Sequence, residues 1–486
     1  MQRSELENNL FPRLVGKACL LSGVWMAFLI AGCGGGTTTA KQTTATTVSP
    51  QTYFAPYVAG AGPLSTLAYT IDDGAGTFSQ TTYHPENEVG PQVLNAGTLT
   101  VGERGLRSLG IGASYSFDST TDQYEHTTYS TAQPGSFAVE LAGQAGGFVQ
   151  MVGQSVEPLV AATECPNFSS AQTYQFVTIP AIEDQILQAG SPIQQQADTW
   201  NPTTDTAYGS VDIVSSGSTV YFKNIHQYTL PSVGGTGVPA QSSSSSATGV
   251  CGPTVLGSIT GVPGQYVVYD PGITSAQPPQ AAIGIGPTGL LVEDNGSTSG
   301  GTLAGTSPAI HYENVLGAGT GAVGLPKPSS TLDTGAVVGA QYLGFIYGAG
   351  TVSSSTGPAV AWSSHLASFS GLSSVSTNCA SFAAQTGTLS NGIYGGDFTN
   401  NDPSTSSNGF GNCDFAIDLG AQDSSNNGLY SKAKVWVGAK YAANSTGKTY
   451  FFQAVAIAGQ LGGKYAVFLI GQDSTQPWAI YLLQSN

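Results

Sequence analysis

The chain has 486 residues and a formal net charge of −16 at pH 7, from 13 Lys and Arg against 29 Asp and Glu. A surface of this sign repels phosphate backbones, which argues against a nucleic-acid partner. Charged residues make up only 9% of the chain, and this low content argues against a cytosolic helical protein, whose exposed helix faces would carry Glu and Lys.

The N-terminus has the pattern of an export signal. Arg13 and Lys17 precede an apolar run, Ala18–Ala31, which is shorter than the roughly 20 residues that span a bilayer but fits a signal-peptide core. The run leads into Ile30-Ala31-Gly32-Cys33, which resembles the lipobox of bacterial lipoproteins. The resemblance implies cleavage before Cys33 and acylation of that residue, with palmitate among the acyl chains. The residue after it is Gly34 rather than Asp, which in that family favours the outer membrane.

A flexible tether is predicted next, at residues 33–51, because this segment is rich in Gly and Thr and has no hydrophobic periodicity. The rest of the chain consists of short alternating runs separated by Gly, Pro, Asn and Asp, which predicts antiparallel β structure. One stretch, Ile182–Leu187, has a helical pattern instead. The predicted fold class is therefore all-β.

Two similar stretches of sequence indicate an internal repeat. "AVELAGQAGGFVQMVGQ" occupies Ala138–Gln154 and "AVAIAGQLGGKYAVFLIGQ" occupies Ala454–Gln472. Each reads as two strands joined by a Gly-Gly turn, and each is followed by a strand marked by Pro. We therefore predict two related antiparallel barrel or sandwich modules flanking a third β-rich region. The alternatives are hairpins that converged in a Gly-rich chain, and a single β-propeller built from all the hairpins.

The predicted domain organisation has five parts, which in chain order are the lipoprotein signal peptide at 1–32, the tether at 33–51, β module 1 at 52–162, the central β-rich region at 163–334, and β module 2 at 335–486. Within the central region, the serine-rich stretch Gly234–Gly249 is predicted to be a loop. The Gly-rich and Pro-containing run Leu316–Ser330 marks a boundary.

The mature chain keeps four cysteines besides Cys33: Cys165, Cys251, Cys379 and Cys413. An even number in an exported chain predicts disulfides. Of the three possible pairings, Cys165 with Cys251 and Cys379 with Cys413 keeps each bridge within one module. No Cys or His spacing indicates zinc, so neither a metal site nor a cofactor is predicted.

The strings that resemble catalytic motifs are weak. Thr331–Ala336, "TLDTGA", is similar to the active-site loop of aspartic proteases, but that chemistry needs a second such loop, which the chain lacks. We therefore expect Asp333 to cap a turn before the following strand, "AVVGAQYLGFIYG" at Ala336–Gly348. Ser431 and Lys434 form a lone Ser-x-x-Lys within an alternating strand, and Asp397–Asn408 is an oxygen-rich loop without EF-hand spacing. No catalytic residue is predicted.

These patterns predict an exported protein, anchored through Cys33 to the bacterial cell envelope and most consistent with the outer membrane. Its expected role is non-enzymatic: binding, adhesion or envelope structure, with the lipid bilayer and an unknown protein or glycan as partners. The 22 tyrosines and 5 tryptophans are suited to such contacts. The alternatives are a β-barrel that carries a small ligand, and an exported hydrolase with no recognisable motif.

Overall fold

The computed structural model describes part of the chain after residue 49. The described ranges are 50–58, 64–83, 92–101, 106–118, 123–133, 137–140, 146–150, 156–161, 163–179, 207–230, 241–253, 266–269, 282–294, 321–354, 357–371, 389, 391–397, 415–437, 450–472 and 477–485. Contacts divide the chain into Met1–Thr46 and Thr47–Asn486, and all described residues belong to the second unit. Cys33, Cys379, Cys413 and the predicted helix at Ile182–Leu187 lie outside these ranges.

The first sheet contains nine antiparallel strands: β1 Gln51–Val58, β2 Leu64–Asp72, β3 Thr77–Tyr83, β4 Gln92–Val101, β5 Leu106–Asp118, β6 Gln123–Gln133, β7 Phe137–Glu140, β8 Gly146–Gln150 and β9 Val156–Val160. Their order is β4-β3-β2-β1-β9-β8-β7-β5-β6, and β4 also pairs with β5. The additional pairing closes the sheet into a ring, with β6 attached beside β5. We call this structure barrel 1.

The second sheet is a closed eight-stranded barrel, barrel 2: β10 Gln172–Ile179, β11 Ala207–Ser216, β12 Thr219–Thr229, β13 Gln241–Pro253, β14 Tyr266–Tyr269, β15 Ala282–Ile285, β16 Leu291–Asp294 and β17 Gly321–Pro326. Each strand pairs with the next along the chain, and β17 closes the barrel on β10. The serine-rich stretch predicted to be a loop instead contributes to β13, where Ser243–Ser245 pair with β12. Pairing with a long neighbouring strand outweighs the weak intrinsic strand preference of these residues.

The third sheet, barrel 3, is closed in the same way: β18 Gln341–Ser354, β19 Gly357–Gly371, β20 Gly392–Asp397, β21 Phe415–Asp418, β22 Leu429–Val437, β23 Tyr450–Leu461, β24 Lys464–Gln472 and β25 Pro477–Gln484. A short helix, α1 (Thr334–Gly339), precedes it. The prediction of an all-β fold with antiparallel barrel modules is confirmed. The propeller alternative is wrong, because the sheets close on themselves through β4–β5, β10–β17 and β18–β25 instead of forming open blades.

The two similar hairpins occupy corresponding places in barrels 1 and 3. Each is followed by the strand that pairs with the first strand of its barrel, β9 with β1 and β25 with β18. Val149 and Val467 pack inside their barrels, whereas Phe148 and Ala466 face an apolar cluster outside. Duplication of one module into barrels 1 and 3 stays a prediction, because barrel 2, which lies outside the repeat, also connects each strand to the next along the chain.

The Gly-Gly turn predicted for both hairpins occurs in only one of them. Gly462 and Gly463 both have positive φ, 57° and 81°, and they join β23 to β24 in a two-residue turn that favours glycine. In barrel 1, Gly146 and Gly147 instead begin β8 and pair with β9. Gly146 must remain small there, because an added Cβ would overlap the carbonyl oxygen of Leu159.

Side chains fill the described interior positions of the barrels. Barrel 1 contains Tyr53, Tyr69 and Phe78, with the buried Gln80 amide donating to the Tyr69 hydroxyl at 2.7 Å. Barrel 3 contains the larger aromatic residues Tyr342 and Trp478. Burial of these apolar faces is the main stabilising term of such a fold, at about 25 cal/mol per Å² removed from water.

The segment that enters barrel 2 also packs against its interior. Cys165 and Phe168 contact the barrel 2 core, and Cys165 forms a disulfide with Cys251 on β13. The Thr163 hydroxyl fixes the start of this segment to the backbone of Tyr266. The predicted Cys165–Cys251 bridge is therefore present.

Barrel 3 is entered in a comparable way through α1. Val337 of α1 is fully buried in the barrel 3 core, and the Tyr342 hydroxyl donates to its carbonyl oxygen at 2.7 Å. Burial raises the pKa of Tyr342 well above the usual range, so the hydroxyl stays neutral and can donate. Ala336, Val337 and Val338, predicted as the start of a strand, are helical because Asp333 caps them and Val337 is buried.

A single apolar cluster joins the three barrels, and we call it the inter-barrel cluster. It contains Phe148, Val156 and Val160 of barrel 1, with Val177, Tyr208, Leu230, Leu290, Val292, Val323 and Leu325 from barrel 2 and Leu343, Phe345, Leu429, Val455, Ile457, Leu461, Ala466, Phe468, Ile470, Ala479, Tyr481 and Leu483 from barrel 3. Phe148 stacks on Tyr481 with ring centroids 4.8 Å apart, and its edge meets Phe468 at 5.4 Å. The outer faces of the barrels are thus buried against one another.

We expect Phe148→Ala to lower the free energy of unfolding by about 3–5 kcal/mol, the usual cost of truncating a buried Phe. The side chain is 1% exposed and makes both aromatic contacts. Urea denaturation followed by tryptophan fluorescence measures the loss. Val101→Ala, at a side chain 48% exposed in the same barrel, is the control and should change stability little; equal effects of the two variants would contradict this packing.

We expect replacement of both Cys165 and Cys251 by Ala to cost about 2–5 kcal/mol, because the bridge restrains the unfolded chain. The bonded residues are 86 positions apart. Urea denaturation without reductant measures the change, and Ser216→Ala at an exposed turn is the control. Unchanged stability would mean that the bridge does not form in the native protein.

Candidate functional site

The candidate site is the junction where the linker from β17 to α1 crosses the loop between β21 and β22. We call it the barrel 2–3 junction. Four hydrogen bonds that involve side chains join linker and loop. Three of them are Lys327 Nζ to Asn426 Oδ1 at 3.1 Å, Asn427 Nδ2 to Pro328 O at 3.2 Å, and Thr331 Oγ1 to Asn427 Oδ1 at 3.4 Å, and the fourth is accepted by Gln422. The linker is therefore held along its length by neutral amide and hydroxyl groups as well as by one lysine.

Gln422 organises the loop side of the junction. Its Oε1 accepts from the backbone N–H of Leu332 in the linker at 3.2 Å and from that of Gly428 at 2.7 Å. Because both partners are donors, the orientation of this amide is fixed by the hydrogen bonds. Its Nε2 is buried and has no hydrogen-bond partner among the described residues.

Gln175, on β10 of barrel 2, reaches the same peptide unit from the other side. Its Nε2 donates to the carbonyl oxygen of Asn427 at 3.0 Å, and this acceptor fixes the orientation of the Gln175 amide. Gln175 is only 3% exposed, and its Oε1 lacks a partner among the described residues. Gln422, the peptide between Asn427 and Gly428, and Gln175 thus form a chain of three amides, which we call the amide relay.

Glycine is required at position 428 for the relay to form. Gly428 has a φ of 82°, which favours glycine, and an added Cβ would overlap the carbonyl oxygen of Ala458. The same Cβ would lie 2.9 Å from Pro328 Cδ in the linker. The sequence "NNG" at Asn426–Gly428, which predicts a turn, therefore also allows the linker to approach closely.

Two buried side-chain atoms at this junction, Gln175 Oε1 and Gln422 Nε2, have no hydrogen-bond partner among the described residues. Gln175 Oε1, Gln422 Nε2 and Thr288 Oγ1 are the three such side-chain atoms in the described part of the chain. Thr288 precedes Gly289, where an added Cβ would be 2.7 Å from Cγ of Pro326 at the start of the linker. An unpaired buried polar group costs about 1–3 kcal/mol, so such atoms usually bond to an ordered water or another group.

Tyr208 of barrel 2 lies near the carboxylate of Asp423 in the β21–β22 loop. Tyr208 and Tyr228 of barrel 2 stack with ring centroids 5.4 Å apart, and Tyr228 is half-buried at the edge of the inter-barrel cluster. Burial, followed by electrostatic interaction with Asp423 and Tyr228, raises the pKa of Tyr208 well above its ordinary value. Asp423, from the barrel 3 loop, accepts from the Ser431 hydroxyl at 2.8 Å.

The residues that resembled catalytic motifs have structural contacts. Asp333 is the N-cap of α1, accepting from the Ala336 N–H at 3.2 Å, as expected for a turn-capping residue. The Ser431 hydroxyl donates to Asp423. Within the described ranges, no group of three or more His, Cys, Asp or Glu side chains is placed to hold a metal ion.

The amide relay was not identified from the sequence. Gln175 lies within an alternating strand and Gln422 within a predicted loop, and nothing in either pattern links them. The signals in the sequence were the "NNG" turn and the two prolines of the linker, which mark a constrained crossing but not its partners.

Comparisons with known proteins assign no family. No family model and no curated protein matches the chain. Among solved structures, the chain is similar at 9% identity and a TM-score of 0.19 to isotype 1 transferrin binding protein B from serogroup B Neisseria meningitidis. The alignment covers 87% of this chain and 66% of that chain.

We expect Asp333→Ala to lower the free energy of unfolding by about 1 kcal/mol, through loss of the cap of α1. Asp333→Asn should be nearly neutral, because Asn caps helices as well as Asp does. Thermal unfolding followed by circular dichroism distinguishes the two variants. A large, equal loss in both would show that the carboxylate itself is required, contrary to a capping role.

Proposed function

We propose that this chain is a lipid-anchored cell-envelope protein whose three-barrel body binds a protein or glycan partner on its outer surface, without enzymatic activity. The anchor is Cys33, and the outer membrane is the expected location. The proposal combines the lipobox pattern with the packing of the barrels, and it leaves the partner to be identified.

The observation that carries this proposal is the packing of side chains at the described interior positions of the barrels. The interior clusters consist of buried side chains, and the entering segments of barrels 2 and 3 pack into those clusters. This packing favours recognition on the outside of the body over a ligand held within a barrel. The alternative of a small-ligand carrier is correspondingly disfavoured.

The lipid anchor is supported by the lipobox pattern around Cys33 and by the free energy of acyl-chain insertion. Each buried CH₂ of an acyl chain contributes about 0.8 kcal/mol, and more than one chain is needed for stable attachment. A lipidated Cys33 followed by the predicted tether would place the body beside the bilayer. No helix in the described ranges is long and apolar enough to span a membrane.

We expect Cys33→Ser to abolish incorporation of labelled palmitate and to move the protein from the membrane to the soluble fraction. Cys19→Ser, within the predicted signal peptide, is the matched control and should leave both properties unchanged. Intact-mass analysis of the mature N-terminus gives an independent readout. An unmodified thiol at Cys33 would contradict the anchor.

The binding role is tested with the purified full-length protein in detergent, by affinity capture from solubilised envelope and by a glycan array. We expect a saturable interaction with one class of partner. The Phe148→Ala variant should keep this interaction if it still folds with the inter-barrel cluster intact. The absence of any saturable partner, together with turnover of a hydrolase substrate, would replace this proposal with the exported hydrolase.

A further inference from the structure

We propose that Asn427 is a deamidation site whose reaction the barrel 2–3 junction suppresses, and that its conversion to Asp or isoaspartate would loosen the linker. Asn is among the chemically labile residues of proteins. It is most labile before Gly, because a following residue without Cβ leaves the peptide nitrogen unhindered. Of the four Asn-Gly pairs in the chain, Asn391–Gly392 and Asn427–Gly428 lie in the described ranges. Deamidation at this site does not depend on the proposed binding function.

The reaction uses groups of the chain itself and water. The backbone nitrogen of Gly428 loses its proton and attacks Cγ of Asn427. The new N–Cγ bond closes a succinimide ring, while the Cγ–Nδ2 bond breaks and Nδ2 leaves as ammonia with the proton that the nitrogen lost. Water then opens the ring at either carbonyl to give Asp or isoaspartate. Attack requires the nitrogen and Cγ to lie about 3–3.5 Å apart and aligned, so the peptide between Asn427 and Gly428 must be free to rotate.

The amide relay restrains this peptide on both sides. The Gly428 N–H donates to Gln422 Oε1 at 2.7 Å, and removal of its proton would place negative charge against that oxygen. Gln175 Nε2 donates to the carbonyl oxygen of Asn427 at 3.0 Å. The two glutamines therefore fix the plane of the peptide that has to rotate, and Gln422 also opposes loss of the proton.

The side chain that would be attacked is held as well. Asn427 Nδ2, the leaving group, donates to Pro328 O at 3.2 Å, and Oδ1 accepts from Thr331 Oγ1 at 3.4 Å. The glycine after it cannot be exchanged for a less reactive neighbour, because its φ is 82° and an added Cβ would overlap the carbonyl oxygen of Ala458. The junction thus requires a labile pair of residues and restrains both of its reacting groups.

Deamidation would remove a bond that holds the linker. A carboxylate cannot donate, so the carbonyl oxygen of Pro328 would lose its partner at Asn427 and face a negative charge instead. The same change at Asn426 has the opposite sign, since its Oδ1 already accepts from Lys327 Nζ at 3.1 Å and a carboxylate there would gain an ion pair. Reaction at Asn427 should therefore loosen the exposed linker residues Ser329–Thr331.

The first test follows deamidation of the folded full-length protein, in detergent and mildly alkaline buffer, by peptide mass spectrometry over time. Gln422→Ala removes the oxygen that accepts two backbone N–H groups at the junction. We expect this variant to deamidate at Asn427 about five- to thirtyfold faster than the wild type, because the loss of about two hydrogen bonds favours the open junction. Gln453→Ala, at an exposed position on β23, should react like the wild type, and Asn391 should react equally in all three proteins.

Two further measurements keep the test decisive if Gln422→Ala folds poorly, which faster reaction at Asn391 would reveal. In the wild type, Asn427 should react about tenfold or more slowly in the folded protein than in urea, because it reacts only after local opening. Asn427→Asp should raise cleavage of the linker by a broad-specificity protease about tenfold, through the unpaired Pro328 carbonyl. Asn426→Asp is the matched control and should not raise cleavage.

Three results would each overturn the inference. The first is an unchanged rate at Asn427 in a Gln422→Ala variant whose Asn391 reacts normally. The second is equal deamidation of wild-type Asn427 in the folded and the unfolded protein. The third is equal cleavage of the linker in the Asn427→Asp and Asn426→Asp variants.

Discussion

The contact on which the structure depends is the apolar cluster between the barrels. Phe148 from barrel 1 packs against the rings of both Phe468 and Tyr481 on barrel 3, which also contact each other. Val323 and Leu325 contribute the outer face of barrel 2 to the same cluster. The outer face of an up-and-down barrel is normally exposed to water. Here three barrels bury part of that face mutually, which adds apolar burial to a chain that has only 9% charged residues.

This arrangement limits the surface on which the proposed partner could bind. The described interior residues of the barrels pack against one another, and the described residues of the inter-barrel cluster hold the barrels together. The polar crossing of the linker over the β21–β22 loop lies beside the cluster, so its amides are positioned by a rigid frame. Tyr208 links the two regions, since it belongs to the inter-barrel cluster and also stacks on Tyr228. Sites supported by rigid elements hold their geometry better than sites on loops alone.

The period-2 pattern predicted the strands and the all-β fold because alternation directly reports one buried face of a sheet. The pairing of Cys165 with Cys251 could be chosen among the three possible pairings, because it keeps the bridge within one predicted module. The serine-rich strand β13 and helix α1 could not be predicted, because a neighbouring strand and the barrel 3 core decide those conformations. The amide relay was least accessible, since Gln175 and Asn427 are 252 residues apart and meet only when two barrels pack together.

Differential scanning calorimetry of the full-length protein in detergent tests the central claim most directly. If the inter-barrel cluster unites the barrels, they should unfold in one cooperative transition, with calorimetric and van't Hoff enthalpies in agreement. Two or three resolved transitions, each with the enthalpy of a single barrel, would show that the barrels are independent and that the cluster does not hold the body together.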